Sequence, residues 1–372
     1  MSIQTQSGDT PAASLGGVPG ASPGGASGAT PATVATVTAG RRGRLRRWWT
    51  VTGILIVLTI AVYLFSLCFG HTYYPLSDVW RVILGEDVPG ASFTVGELRL
   101  PRASLGVVCG LAFGLGGVVF QTMLRNPLAS PDIIGISSGA SAAAVFAILS
   151  LSLTAAATAA FAIVAALAVA LLVFALSWKG GVAGTRLILV GIGVSAVLTS
   201  LTNWQLSKAQ TFDTQAAMRW LSGSLNNASW NGVQLVLVAV IVLAPVLLSQ
   251  WRNLAITQLG DDTAEALGVR VSRTRLILVV AAVGLIAFAT ASAGPIAFVA
   301  FLSGPIAARL VGPGTNLLVP AALVGCLLVL SADFAGQWLF DARYPVGVIT
   351  GVLGAPYLIY LIIHTNRSGG SL

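Results

Sequence analysis

Charge is what this chain has least of. Asp, Glu, Lys and Arg make up 9% of its 372 residues, where a soluble protein carries roughly a quarter. Hydrophobic residues reach 56% and mean hydropathy is +0.88. A soluble globular fold is excluded, and a chain that crosses a membrane many times is expected. Lysine is nearly absent, with Lys179 and Lys208 alone, so the net charge of +8 rests on arginine. Those arginines sit between apolar runs rather than among aromatics, which fits orientation in a bilayer and excludes nucleic acid as a partner. Cysteine is scarce too. Cys68, Cys109 and Cys326 each lie in an apolar run without metal-ligand spacing and read as small buried hydrophobes. His71 and His364 stand apart at the edges of apolar runs, so neither a metal site nor a catalytic pair is expected, and no cofactor. No Gly-Lys pair occurs, so the Gly-rich cradle that holds nucleotide phosphates is missing. Acids are equally rare within the apolar runs, where Asp333 stands out. A proton- or sodium-driven carrier places several ionisable groups at mid-membrane, so their scarcity puts the energy source outside this chain.

What is present is organised by length. Residues 1–40 are Gly, Ala, Ser, Thr and Pro with Asp9 as the one charge, and read as a disordered cytoplasmic tail. The tail lacks the basic start of a signal peptide, so no cleavage is expected. The sequence RRGRLRRWW at 41–49 then makes a cytoplasmic stop at the lipid interface. Residues 41–372 form one all-α membrane domain of about ten spans, near 49–69, 101–124, 132–150, 155–177, 186–206, 230–250, 275–293, 296–311, 317–338 and 345–364. The eighth is short and interrupted by Gly and Pro, so it is expected to lie among other helices. An even number of spans puts both termini in the cytoplasm, and most of the Lys and Arg fall on that side.

The second span carries the most information. It opens with Arg99-Leu100-Pro101-Arg102 and runs without charge from Ala103 to Phe120, enough to cross a hydrocarbon core of about 30 Å. Gly106, Gly110 and Gly114 recur every fourth residue and predict a flat stripe that another backbone can approach closely. A polar elbow follows, Arg125-Asn126-Pro127-Leu128-Ala129-Ser130-Pro131, whose two prolines end the helix. Such a break survives in a membrane only where protein buries it or water bathes it. The outer segment 70–98 includes YPLSDVWRVILGE, a short amphipathic helix, and a second outer segment, 207–230, ends in MRWLSGSLNNASW. The inner loop 251–275 places Asp261 and Asp262 at a helix start and Gly268 past its end. That short helix serves nothing in spanning and reads as an element a partner grips.

In combination these residues resemble the FecCD family of binding-protein-dependent ABC permeases, the type that imports ferric siderophores, haem and cobalamin. The resemblance covers residues 50–365. It is carried by Arg99-Leu100-Pro101-Arg102, by Gln121 with Asn126-Pro127-Leu128-Ala129 and Pro131, and by Gly135 through Gly139-Ala140. Further along it rests on Trp220 with Gly223-Ser224, Leu259-Gly260-Asp261 with Ala264, Leu267 and Gly268, and Gly294-Pro295-Ile296 with Phe298. Ala332-Asp333, Pro345-Val346-Gly347 and Gly354-Ala355-Pro356 complete the set.

The resemblance implies a type II ABC importer permease fold and a chain that is not itself an enzyme. It implies a second permease subunit around a central pathway, two ATP-binding cassette ATPases beneath, and an extracytoplasmic substrate-binding protein above. The setting is the cytoplasmic (inner) membrane of a bacterium, with lipid all round. It assigns Arg99 and Arg102 to docking of the binding protein, with Arg343 standing in for an outer arginine that is Gln337 here. It assigns ATPase coupling to Gly260, Asp261, Asp262, Ala264, Leu267 and Gly268. It assigns the inner gate of the pathway to Asn126 and Leu128, with Gly184 and Thr185 as a second constriction. The usual Pro-His-Ile-Ala-Arg is Pro305-Ile306-Ala307-Ala308-Arg309 here, so no role of that histidine carries over. A ferric siderophore is the expected cargo, ahead of cobalamin or haem, and Gln337 favours a heterodimer over a homodimer. From another class, an ATP-independent secondary carrier is the alternative.

Overall fold

The computed structural model describes residues 31–177 and 184–367. Among them every regular element is helical and no strand occurs. The chain divides after Gly43 into two units. The described part of the first is the opening of helix α1 (Pro31–Cys68). Helix therefore begins inside the stretch read from composition as tail. Pro31 fits a first helical turn, and Ala32, Ala35 and Ala39 after it favour continuation.

Within the second unit α1 runs on to Cys68, and α2 (Leu76–Ile83) follows as the expected amphipathic helix, with Val79 buried and Trp80 exposed. A π-helical segment, Ser92–Arg99, leads without a break into α3 (Leu100–Met123), so the second span starts well before Pro101. Beyond the elbow come α4 (Ile136–Leu149), α5 (Ala155–Ser177) and α6 (Gly184–Lys208). The outer segment after α6 is not plain loop, because it holds α7 (Thr211–Leu221), which buries Ala217. Next are α8 (Trp230–Ser249), the short α9 (Trp251–Thr257) and α10 (Asp261–Ala266), and α11 (Val271–Ala293). The chain closes with α12 (Val299–Val311), α13 (Leu318–Trp338) and α14 (Val346–Arg367). Among the described residues, seven helices are long and apolar enough to span a membrane, and α4, α12 and α14 are shorter apolar ones, which together account for the expected spans.

The centre of the bundle is α3, enclosed by α8, α11, α12 and α13. Its glycines explain how. A Cβ on Gly110 would sit 2.5 Å from the Cα of Cys326, and one on Gly114 would sit 2.9 Å from the Cα of Ala322. At Gly110 and Gly114 the stripe is a backbone-to-backbone seam with α13, as the spacing predicted, while Gly106 meets the side chains of Leu225, Val329 and Leu330. Two further glycines open the other sides. Gly116 faces Ile286 of α11, and Gly117 faces the backbone of Ala300 in α12. Between lipid-solvated helices apolar burial gives little drive, so this close van der Waals contact is what holds the core. Helix α12 is buried from Val299 to Pro305, as its short interrupted sequence requires, and opens to the surface at Arg309 and Leu310.

Candidate functional site

The elements described so far converge on two ends of the bundle, an elbow end after α3 and a collar end before it. At the elbow, the amide of Arg125 donates to the carbonyl of Thr122 (3.2 Å) and that of Asn126 to Gln121 (3.0 Å). That pair of bonds is a Schellman closure of the helix, and its left-handed residue is Arg125 at φ +51°. Asn126 then folds the turn on itself, its Oδ1 accepting from the amide of Leu128 (2.9 Å). Leu128 is half-buried and packs on a cluster of Phe301, Leu302 and Leu361 from α12 and α14. Gln121 is buried and donates to the carbonyl of Phe301 (2.8 Å), which pins the end of α3 to α12. The elbow is a shaped turn, exposed at Arg125, half-buried from Asn126 to Leu128 and buried from Ala129 to Pro131. Gly184 and Thr185 open α6 with side chains outside the described residues.

One elbow residue was missed from sequence. Asp132 lies just after Pro131, where its carboxylate accepts from Ser130 (3.2 Å) and from Ser137. Its position at the edge of the third apolar run hid it.

The predicted loop helix stands beside the elbow as α10. Gly260 (φ +114°) starts it and Gly268 (φ +85°) ends it, both in conformations that side chains rarely adopt. Ala264 is buried against Ile256, Val269 and Val271, a small core separate from that of the bundle. The rest of the surface is open. Asp262 and Glu265 are exposed, and Leu259 and Leu267 are 65% and 60% accessible. Asp261 is half-exposed and accepts from Arg125 (2.8 Å) and Arg275 (2.9 Å) through one oxygen. The six residues expected to act together are therefore brought together.

The collar departs from expectation. Arg102 does not stand free, because its Nε and Nη2 each donate to Asp333 at 2.8 Å, with the two side chains 18% and 9% exposed. Gln337 is turned onto the same carboxylate at 2.7 Å. Arg99 donates to the carbonyls of Leu67 (2.7 Å), Cys68 (3.0 Å) and Thr72 (2.7 Å) and lies over the ring of Tyr74. Its guanidinium ties α3 to the end of α1. Both guanidiniums are thus engaged within the chain. Partly buried cations beside a carboxylate or bare carbonyls take those partners first. Arg343 is exposed, donating to His71 (2.8 Å) over the ring of Trp338.

The remaining motifs meet near the collar in a junction of three loops. The amide of Ser224 donates to Ala293 (2.7 Å), and that of Gly347 to Gly223 (3.0 Å). This joins the end of α7 to the breaks before α12 and α14.

The FecCD transport family matches residues 57–364. The chain belongs to that family. It is 38% identical over 317 residues to the ferric enterobactin transport system permease protein FepG of Escherichia coli (strain K12), covering 84% of this chain and 96% of FepG. It is 38% identical over 336 residues to the achromobactin transport system permease protein CbrC of Dickeya dadantii (strain 3937), covering 88% and 96%. With the iron(3+)-hydroxamate import system permease protein FhuG of Bacillus subtilis (strain 168), identity is 36% over 327 residues, covering 85% and 97%. Among solved structures, an inward-facing metal-chelate type ABC transporter superposes with a TM-score of 0.77 at 26% identity, covering 85% of this chain and 99% of the other. The FecCD chain is a multi-pass membrane protein with the fold of an ABC importer permease.

Proposed function

We propose that this FecCD chain is the membrane subunit of an ABC importer that moves a ferric siderophore across the bacterial cytoplasmic membrane. ATP hydrolysis takes place in two partner ATPases and none in this chain. The observation that carries the reading is α10, a helix outside the bundle core with Leu259 and Leu267 turned to solvent. Exposed apolar anchors rimmed by acids fit a groove on a partner. The elbow end is accordingly cytoplasmic, as are both termini, and Asn126 and Leu128 narrow the mouth of the pathway, with Gly184 and Thr185 as the second constriction. The collar end receives the binding protein through Arg343, the most exposed of its three arginines, while Arg99 and Arg102 shape the surface beneath. The apolar faces that α6 and α14 leave exposed, with Leu189, Val197, Val352 and Ile359, take a second permease subunit. That subunit is a different chain, one that carries the arginine replaced here by Gln337.

Changing Leu259 and Leu267 together to serine tests the assignment, because neither is packed in the chain itself. Co-purification of the ATPase is expected to fail, and uptake of an iron-labelled chelate is expected to fall at least about tenfold. Uptake at the wild-type rate without ATP would instead mean a secondary carrier. Ferric catecholates, ferric hydroxamates, cobalamin and haem tested in cells lacking the chain identify the cargo. Loss of cobalamin or haem uptake alone would overturn the siderophore and keep the permease.

A further inference from the structure

Arg125 occupies a backbone position that chemistry assigns to another residue. The left-handed site of a Schellman closure is filled by glycine by preference and by asparagine next, because a Cβ there is strained. A long cation at φ +51° is kept at that cost, and strain of this kind gathers at working sites. Its side chain shows what is gained. The Nη2 of Arg125 reaches across the elbow to the carbonyl of Thr257, the last residue of α9, and to Oδ1 of Asp261 (2.8 Å), the first residue of α10. Asp261 is held from the other side by Arg275 of α11 (2.9 Å). The pair is too exposed to matter for stability, with side chains 42% and 43% accessible. Its value is positional. The residue after Arg125 is Asn126, whose side chain sets the turn that holds Leu128 against α12 and α14. Helix α10 and the elbow are therefore joined by one side chain, whose own backbone is part of the elbow.

We propose that Arg125 is a positioning residue that carries movement of α10 to the Asn126–Leu128 constriction, so that ATPase motion opens or closes the pathway through the Arg125–Asp261 contact. The inference rests on the permease reading above. A cation beside the carboxyl end of α3 also suits the helix dipole, and that lesser role predicts no effect on coupling. The test uses the complete importer in sealed vesicles, with ATP hydrolysis and iron uptake measured together on the ferric chelate that wild type transports. Arg125→Asn keeps a residue that tolerates the left-handed turn and removes the contact. Hydrolysis within about twofold of wild type is expected, with iron delivered per ATP lowered roughly tenfold. Arg125→Lys is expected to restore part of that ratio. Adding Arg125→Asn to Asp261→Asn is expected to cost nothing further, because the two residues form one link. An unchanged ratio in Arg125→Asn, additive losses in the double variant, or loss of ATPase binding with Arg125→Asn would each overturn the link. Wild type without ATP-driven uptake would overturn the permease reading and the link with it.

Discussion

Replacing Asp333 with alanine is expected to destabilise the folded chain by about 3–5 kcal/mol, the cost of leaving a buried partner charge without its counterpart. Arg102 would then keep two donors aimed at an empty site within the bundle, where it is only 18% exposed. Gln337 would lose its acceptor at the same time. The reciprocal Arg102→Ala is expected to be similarly harmful, because it strands the Asp333 carboxylate. The double change Arg102→Met with Asp333→Leu removes both charges while keeping bulk, and is expected to recover most of the loss. Thermal unfolding in detergent, followed by tryptophan fluorescence, reads all three. The comparison also separates two roles for Arg102. If its work were docking alone, Arg102→Ala would leave the melting temperature unchanged and weaken only binding-protein affinity. A melting temperature that stays put would therefore defeat the structural assignment.

That contrast marks where the sequence was legible. The spans could be read because lipid demands long uncharged runs, and the seam of α3 could be read because Gly106, Gly110 and Gly114 share one helical face. Helix α10 could be read from acids at its start and glycine past its end, both local signals. The engagement of Arg102 could not, since its partner lies far along the chain and meets it only once α3 and α13 have packed. Helix α7 was missed for a different reason. It is short, and its polar face reads as loop, so it declares itself only when Ala217 is buried. Arg125 and Asp261 were each visible, but the contact between them depends on a left-handed turn that arginine does not announce.

Gly294→Ala is expected to be the most damaging of the small substitutions, by more than about 3 kcal/mol, because two costs fall on one methyl group. The first is conformational. Gly294 sits at φ +71° and ψ +177°, a region open essentially to glycine alone. The second is steric, since a Cβ there would overlap the carbonyl oxygen of Trp220 and come within 3.0 Å of the Cα of Gly223. Neither neighbour is a movable side-chain tip. Both are backbone at the end of α7, fixed by the bond from Ser224 to Ala293 and by that from Gly347 to Gly223. Relief would require α7 to withdraw from the breaks before α12 and α14, which opens the junction as a unit. Gly232→Ala is the matched control. Its added Cβ, in the first turn of α8, would meet only Ser229 at 3.7 Å and Ser292 of α11 at 3.9 Å. Helix propensity there favours alanine by up to about 1 kcal/mol. Folded protein recovered from membranes, together with its melting temperature, is expected to fall sharply for the first variant and hold or rise for the second. Equal stability of the two would mean that the loops do not bear on one another as the geometry requires.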